Sequence, residues 1–141
     1  MTIKEVAGRT ILYFYQLQRA APASMQHRQL GFIDKADGKV SLTSDKKWFS
    51  KDLIDIGGSS SDVYNAFRFL LDKGFIGAQE RAKAGARIYI EIRLTASGID
   101  IVEGVESSRD GRQQFSATFN MHGDSADVNG LIREHLESFL K

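Results

Sequence analysis

The chain has 141 residues, a formal net charge of +1 and no cysteine, with 42% hydrophobic and 26% charged residues. That length suits one domain plus an extension, able to bury a core without a covalent staple. The missing cysteines exclude disulfides, thiolate zinc sites and a cysteine nucleophile. The longest apolar run, residues 11–15, is too short to span a bilayer. Lys4, Arg9 and Ala21-Pro22-Ala23 sketch a secretory leader, but Gln16, Gln18 and Arg19 interrupt its apolar stretch, so a mature cytoplasmic N-terminus is expected. Charge is unevenly spread: residues 46–95 carry nine Lys or Arg against six Asp or Glu, residues 99–141 four against eight. A positive middle and an acidic tail imply that only the middle faces an anion.

From Thr2 to Leu17, Ile3, Val6, Ala7, Thr10, Ile11, Phe14 and Leu17 recur at helical spacing, and Thr2 with Glu5 forms a capping box. Pro22 ends that helix. Leu30 and Phe32, then Val40 and Leu42, alternate about Asp37-Gly38, which predicts a small hairpin. Trp48 and Phe49 precede Ser50, a predicted N-cap for a short helix carrying Leu53, Ile54 and Ile56. Gly57-Gly58 stops it, and Ser59 starts another. On that second helix Val63, Ala66, Phe67, Leu70 and Leu71 form one face, and Ser61, Tyr64, Asn65, Arg68 and Asp72 the other.

Lys73-Gly74 closes the helix, Phe75 and Ile76 open a strand, and residues 80–86 read as a polar loop. Residues 87–94 alternate, with Ile88, Ile90, Ile92 and Leu94 on one side and Arg87, Tyr89, Glu91 and Arg93 on the other. Thr95 then caps a helix holding Ile99, Ile101, Val102 and Val105. Residues 107–114 read as a polar linker, 115–121 as a strand through Phe115, Ala117, Phe119 and Met121, and 128–140 as an amphipathic helix.

Residues 50–106 resemble the winged-helix superfamily of bacterial transcription regulators, of the MarR, PadR or ArsR kind. The resemblance rests on Leu53-Ile54…Gly58-Ser59, on Val63…Ala66…Leu70-Leu71…Gly74-Phe75-Ile76, and on Leu94-Thr95-x-x-Gly98. It implies an α+β fold: a winged helix-turn-helix domain over residues 1–106 with an inserted β-hairpin at 20–49, a linker at 107–114 and a C-terminal strand-helix extension at 115–141. The inserted segment is longer than this family usually carries.

The resemblance also implies a bacterial or prophage-type regulator of double-stranded DNA. Residues 59–73 would be the recognition helix, with Ser59, Ser60, Ser61, Tyr64, Asn65 and Arg68 toward the major groove. Arg68 would read guanine and Asn65 adenine. Arg81, Lys83 and Arg87 would carry the wing against the backbone, with Lys46, Lys47 and Lys51 as further phosphate contacts. A continuous positive stripe across Arg68, Lys83 and Arg87 would favour DNA. A broken one would favour a protein-interaction adaptor on the same fold.

Phe115, Phe119, Leu131, Ile132, His135, Leu136 and Phe139 supply an apolar seam for a homodimer, which two half-sites would require. Gly57 to Ser61 lacks the lysine and spacing of a P-loop, so a turn and cap is the plain reading. His122, Asp124, Asp127 and His135 do not match a structural zinc pattern, and no residues form a nucleophile–base set. No cofactor, metal or catalysis is expected. The tyrosines of the first helix are read as core before any effector pocket, and the sequence names no effector.

Overall fold

The computed structural model describes residues 2–120. Among them the chain forms an α+β fold of six helices and one four-stranded antiparallel sheet. The helix α1 (Ile3–Ala20) begins where Thr2 Oγ1 accepts the Glu5 amide at 3.2 Å. Pro22 interrupts it and opens the short α2 (Pro22–Gln26), a position where its missing N–H costs nothing. The strands β1 (Leu30–Asp34) and β2 (Val40–Ser44) form the expected hairpin.

The next helix, α3 (Lys47–Gly57), starts three residues before Ser50, so Trp48 and Phe49 lie inside its first turn. Ser44 replaces Ser50 as the local organiser: its hydroxyl donates to the Lys46 carbonyl and accepts the Ser50 amide. Gly58, at φ 94°, turns the chain where a side chain would be strained. Ser59 then caps α4 (Ser60–Asp72), its hydroxyl accepting the Asp62 amide at 3.2 Å.

The strands β3 (Ile76–Lys83) and β4 (Ala86–Leu94) run to a two-residue turn, so most of the loop expected at 80–86 is strand. The sheet order is β2-β1-β4-β3, with β1 joining the two hairpins. Leu30 pairs with Tyr89, and Phe32 with Arg87. These four side chains therefore share the helix-covered face, while Gly31, Ile33, Ile88 and Ala86 lie on the reverse face.

That overturns the expected alternation for the first half of β4. The cause is an irregularity in the β3–β4 ladder between Gly77 and Gln79, opposite which Glu91 adopts φ 55°. A bulge of this kind resets the two-residue alternation. Tyr89 is buried before it and Ile92 and Leu94 after it, whereas Ile88 and Ile90 are only half-buried.

The core is aromatic at its centre. Phe67 of α4 sits between Phe14 of α1 at 6.3 Å, Phe32 of β1 at 5.7 Å and Tyr89 of β4 at 4.8 Å, measured between ring centroids. Beneath it Tyr13 donates a 2.8 Å hydrogen bond to Asp52 of α3, both groups being buried.

Beyond Thr95, which caps α5 (Ala96–Ser107), the chain departs from expectation. Ser108 caps a further helix, α6 (Arg109–Phe119), in place of the linker at 107–114 and the strand from 115. Phe115 and Phe119 stand at i and i+4, a spacing that suits a helical face as well as alternation. Gly111 also allows α6 to cross α5 tightly, because a Cβ there would overlap the Gly104 carbonyl. The expected helix at 128–140 lies outside the described residues. No described helix is long and apolar enough to cross a membrane.

Burial, reinforced by the Asp52 charge and hydrogen bond, pushes the Tyr13 phenol far above its ordinary value of 10.0. Tyr13 therefore stays protonated in the folded chain while the unfolded chain loses that proton near pH 10. Its contribution is complete below that pH and falls above it by about 1.4 kcal/mol per pH unit. Urea unfolding between pH 8 and 11 should show a shallower alkaline decline in Tyr13→Phe than in the wild type. That variant should also be about 1–3 kcal/mol less stable at pH 8, having lost the phenol's bond to a buried carboxylate.

Candidate functional site

The surface with functional potential is where α4 meets β4. Since Phe67 faces the core, its helical neighbours Tyr64 and Arg68 fall along the flank of α4 that overlooks the sheet. Both are half-buried, and neither stands free. The Tyr64 ring packs edge-on against Phe32 at 4.9 Å, and its hydroxyl accepts a 2.6 Å bond from Arg87 Nη1. Arg68 Nη1 donates to the Tyr89 hydroxyl at 3.3 Å, and Nη2 stands 3.6 Å from Asp72 one turn on. The Tyr89 bond holds the Arg68 guanidinium in its charged form. Burial raises the Tyr89 phenol, with Arg68 opposing that shift.

Arg87 is the centre of this flank. Its guanidinium lies 4.6 Å from the Tyr64 ring centroid, and Nη2 reaches Asp34 at the end of β1 at 2.6 Å. It thus ties the α4 flank, β4 and the first hairpin together through a cation–π contact and two hydrogen bonds. The residue expected to carry a free cation on the β3–β4 hairpin is a clamp. Arg68 and Arg87 are each matched by a carboxylate, so the anticipated stripe across Arg68, Lys83 and Arg87 is broken.

Other expected residues remain accessible. Asn65 is exposed on the solvent side of α4 beside Asp62, while Ser60 and Ser61 are half-buried and Ser59 is spent on the cap. Arg81 and Lys83 are exposed near the end of β3 and make no ion pair with a described residue. They stand opposite Ile88 and Ala86, hence on the face of the sheet away from Arg87. Lys51 is exposed on α3. Lys46 and Lys47 follow Ser44, which pairs with Leu30 at the opposite end of the sheet from the β3–β4 turn. They lie apart from Arg81 and Lys83, and Lys51 stands one helical turn from Lys47.

The oligomerisation set divides. Phe115 and Phe119 are buried within the chain, where Phe119 packs at 6.3 Å from Phe69 and 5.8 Å from Phe75. They fasten α6 to α4 and the entry to β3 and are not available to a second copy. Leu131, Ile132, His135, Leu136 and Phe139 lie outside the described residues, as do His122, Asp124 and Asp127. Among the described residues no group of three or more metal-ligating side chains is assembled. Of the tyrosines of α1, Tyr13 is core, while Tyr15 lines a polar cleft of about 810 Å³ with Arg19 and, on α5, Asp100 and Glu103.

Sequence reasoning missed Asp34, Tyr89 and the flank they build. Their partners are distant in the chain, and only the strand register reveals them. Comparison with protein-family models, curated proteins and solved structures finds no match to this chain.

The clamp is testable by a double-mutant cycle in urea. Asp34→Ala should cost about 1 kcal/mol or less, as the pair is partly exposed, and that cost should vanish in an Arg87→Met background. Equal costs in both backgrounds would show that the two residues act independently.

Proposed function

We propose that this chain is a winged-helix protein that binds duplex DNA and acts as a transcription regulator. Three features of the fold support the reading: two consecutive helices joined by a tight turn, a following β-hairpin, and β1 paired to that hairpin's second strand. The observation that carries it is spatial. Tyr64 meets Arg87 near the β3–β4 turn and Arg68 meets Tyr89 farther along, so the N-terminal part of α4 points toward that turn. The N-terminal end of α4 and the β3–β4 turn therefore share one end of the sheet. The unpaired Arg81 and Lys83, on the sheet face away from α4, would meet phosphates flanking the groove rather than the groove itself.

In this reading Asn65 is the main base-reading residue, suited to adenine N6 and N7, with Ser60 and Ser61 beside it. Arg81, Lys83 and Lys51 bind phosphate without reading sequence. Arg68 would have to leave Asp72 and Tyr89 to reach a guanine, and Arg87 and Tyr64 hold the helix in place. Pairing of two copies through residues 128–140 belongs to the proposal, since a palindromic site needs a dimer. No cofactor is required.

The broken stripe across Arg68, Lys83 and Arg87 favours a second reading. Asp72 and Asp34 cancel the two arginines nearest α4, and Asp62 adds negative charge, which suits a protein-binding adaptor on the same fold.

Fluorescence anisotropy against selected and random duplexes at several salt concentrations separates the two. DNA binding predicts a steep salt dependence, whose slope Arg81→Gln/Lys83→Gln lowers by about two units for every sequence. Asn65→Ala should instead remove about 1–3 kcal/mol of discrimination at one adenine. Absence of salt-sensitive binding to any duplex would favour the adaptor.

A further inference from the structure

The β1–β2 hairpin adds a second turn to the end of the sheet that carries the β3–β4 turn. The ladder between β1 and β4 ends at Ile33–Ala86, and beyond it the Asp34 amide donates to the Gly85 carbonyl at 2.9 Å. Residues 35–39 therefore project beside residues 84–85, held to them by a backbone bond at the root. Four strands at about 4.8 Å spacing make a rim about 14 Å across, comparable to the width of a major groove.

The tip is built to keep its shape. Lys35 donates its amide to the Lys39 carbonyl at 2.9 Å, and Gly38 donates to Lys35 at 3.0 Å. Asp37 Oδ1 accepts the Lys39 amide at 2.9 Å. All five residues are exposed, and none of them is a large apolar side chain that would seek a core. Lys35 and Lys39 make no ion pair with a described residue. Asp34 at the tip's root is already held by Arg87, and Asp37 directs an oxygen into the turn. What this end of the sheet presents is thus Lys35, Lys39, Arg81 and Lys83, with Asp37 in the tip and Glu80 beside Arg81 as exposed acids that make no ion pair with a described residue.

We infer that residues 35–39 form a second phosphate-binding wing, in which Lys35 and Lys39 contact the backbone of the duplex held by α4 and the β3–β4 hairpin. The inference rests on the DNA-binding reading and gives the inserted hairpin a role within it. Arg87 couples the parts mechanically, since its guanidinium touches both Asp34 at the tip's root and Tyr64 on α4. A duplex engaging the tip would therefore load the same clamp that positions Asn65.

The test compares full-length wild type with Lys35→Gln/Lys39→Gln. The charge-matched control is Arg109→Gln/Arg112→Gln, whose residues lie on α6. Binding to a short labelled duplex of random sequence is followed by anisotropy across a salt series. The tip variant should bind several-fold more weakly at low salt, with a log–log salt slope about two units shallower, while the control keeps the wild-type slope. A wild-type slope in the tip variant, or an equal loss in the control, would overturn the second wing while leaving DNA binding intact. Wild type that binds no duplex at any salt would instead overturn the DNA reading, and this inference with it.

Discussion

Everything on the functional side of this fold depends on where Phe67 sits. Wedged among Phe14, Phe32 and Tyr89, it fixes α4 against α1 on one side and against β1 and β4 on the other. A ring with three aromatic neighbours and no solvent exposure leaves the helix little freedom to roll. With that rotation set, Tyr64 and Arg68 fall onto the sheet-facing flank and Asn65 faces outward. The polar contacts then follow from the aromatic packing, since Arg87 can reach Tyr64 and Asp34 together only if α4 lies at this height above the sheet.

The clamp changes the meaning of the basic residues. Charge counted along the chain suggests a continuous cationic surface, but Arg68 and Arg87 are matched by Asp72 and Asp34. An arginine held between a tyrosine ring and a carboxylate gives geometry more than field. The uncompensated charge lies farther out, on the turns at the end of the sheet, where solvation is cheap and a polyanion is easily reached. In the proposed DNA-binding reading, positioning and attraction thus fall to different residues, one set half-buried and neutralised, the other exposed.

Much of the backbone was legible because local signals agreed. Thr2, Ser59 and Thr95 cap the helices they were expected to cap, and Asp37-Gly38 makes the turn of the first hairpin. Misreadings fall where two periodicities fit the same residues or a long-range contact decides. Phe115 and Phe119 satisfy both alternation and a helical face, and Gly111 lets the helix they form lie close against Gly104. The faces of β4 were assigned uniformly because no local feature marks the irregularity near Glu91. Arg87 looked like a free cation because its partner Asp34 lies on a strand far back in the sequence.

The most direct measurement is a titration of the labelled protein with duplex DNA, following every backbone amide by heteronuclear NMR. The account predicts that the largest shifts cluster at residues 35–39, 60–65 and 81–85, with α5 and α6 unperturbed. Shifts confined to α5, α6 or the cleft beside Tyr15, or none at low salt with excess duplex, would contradict it.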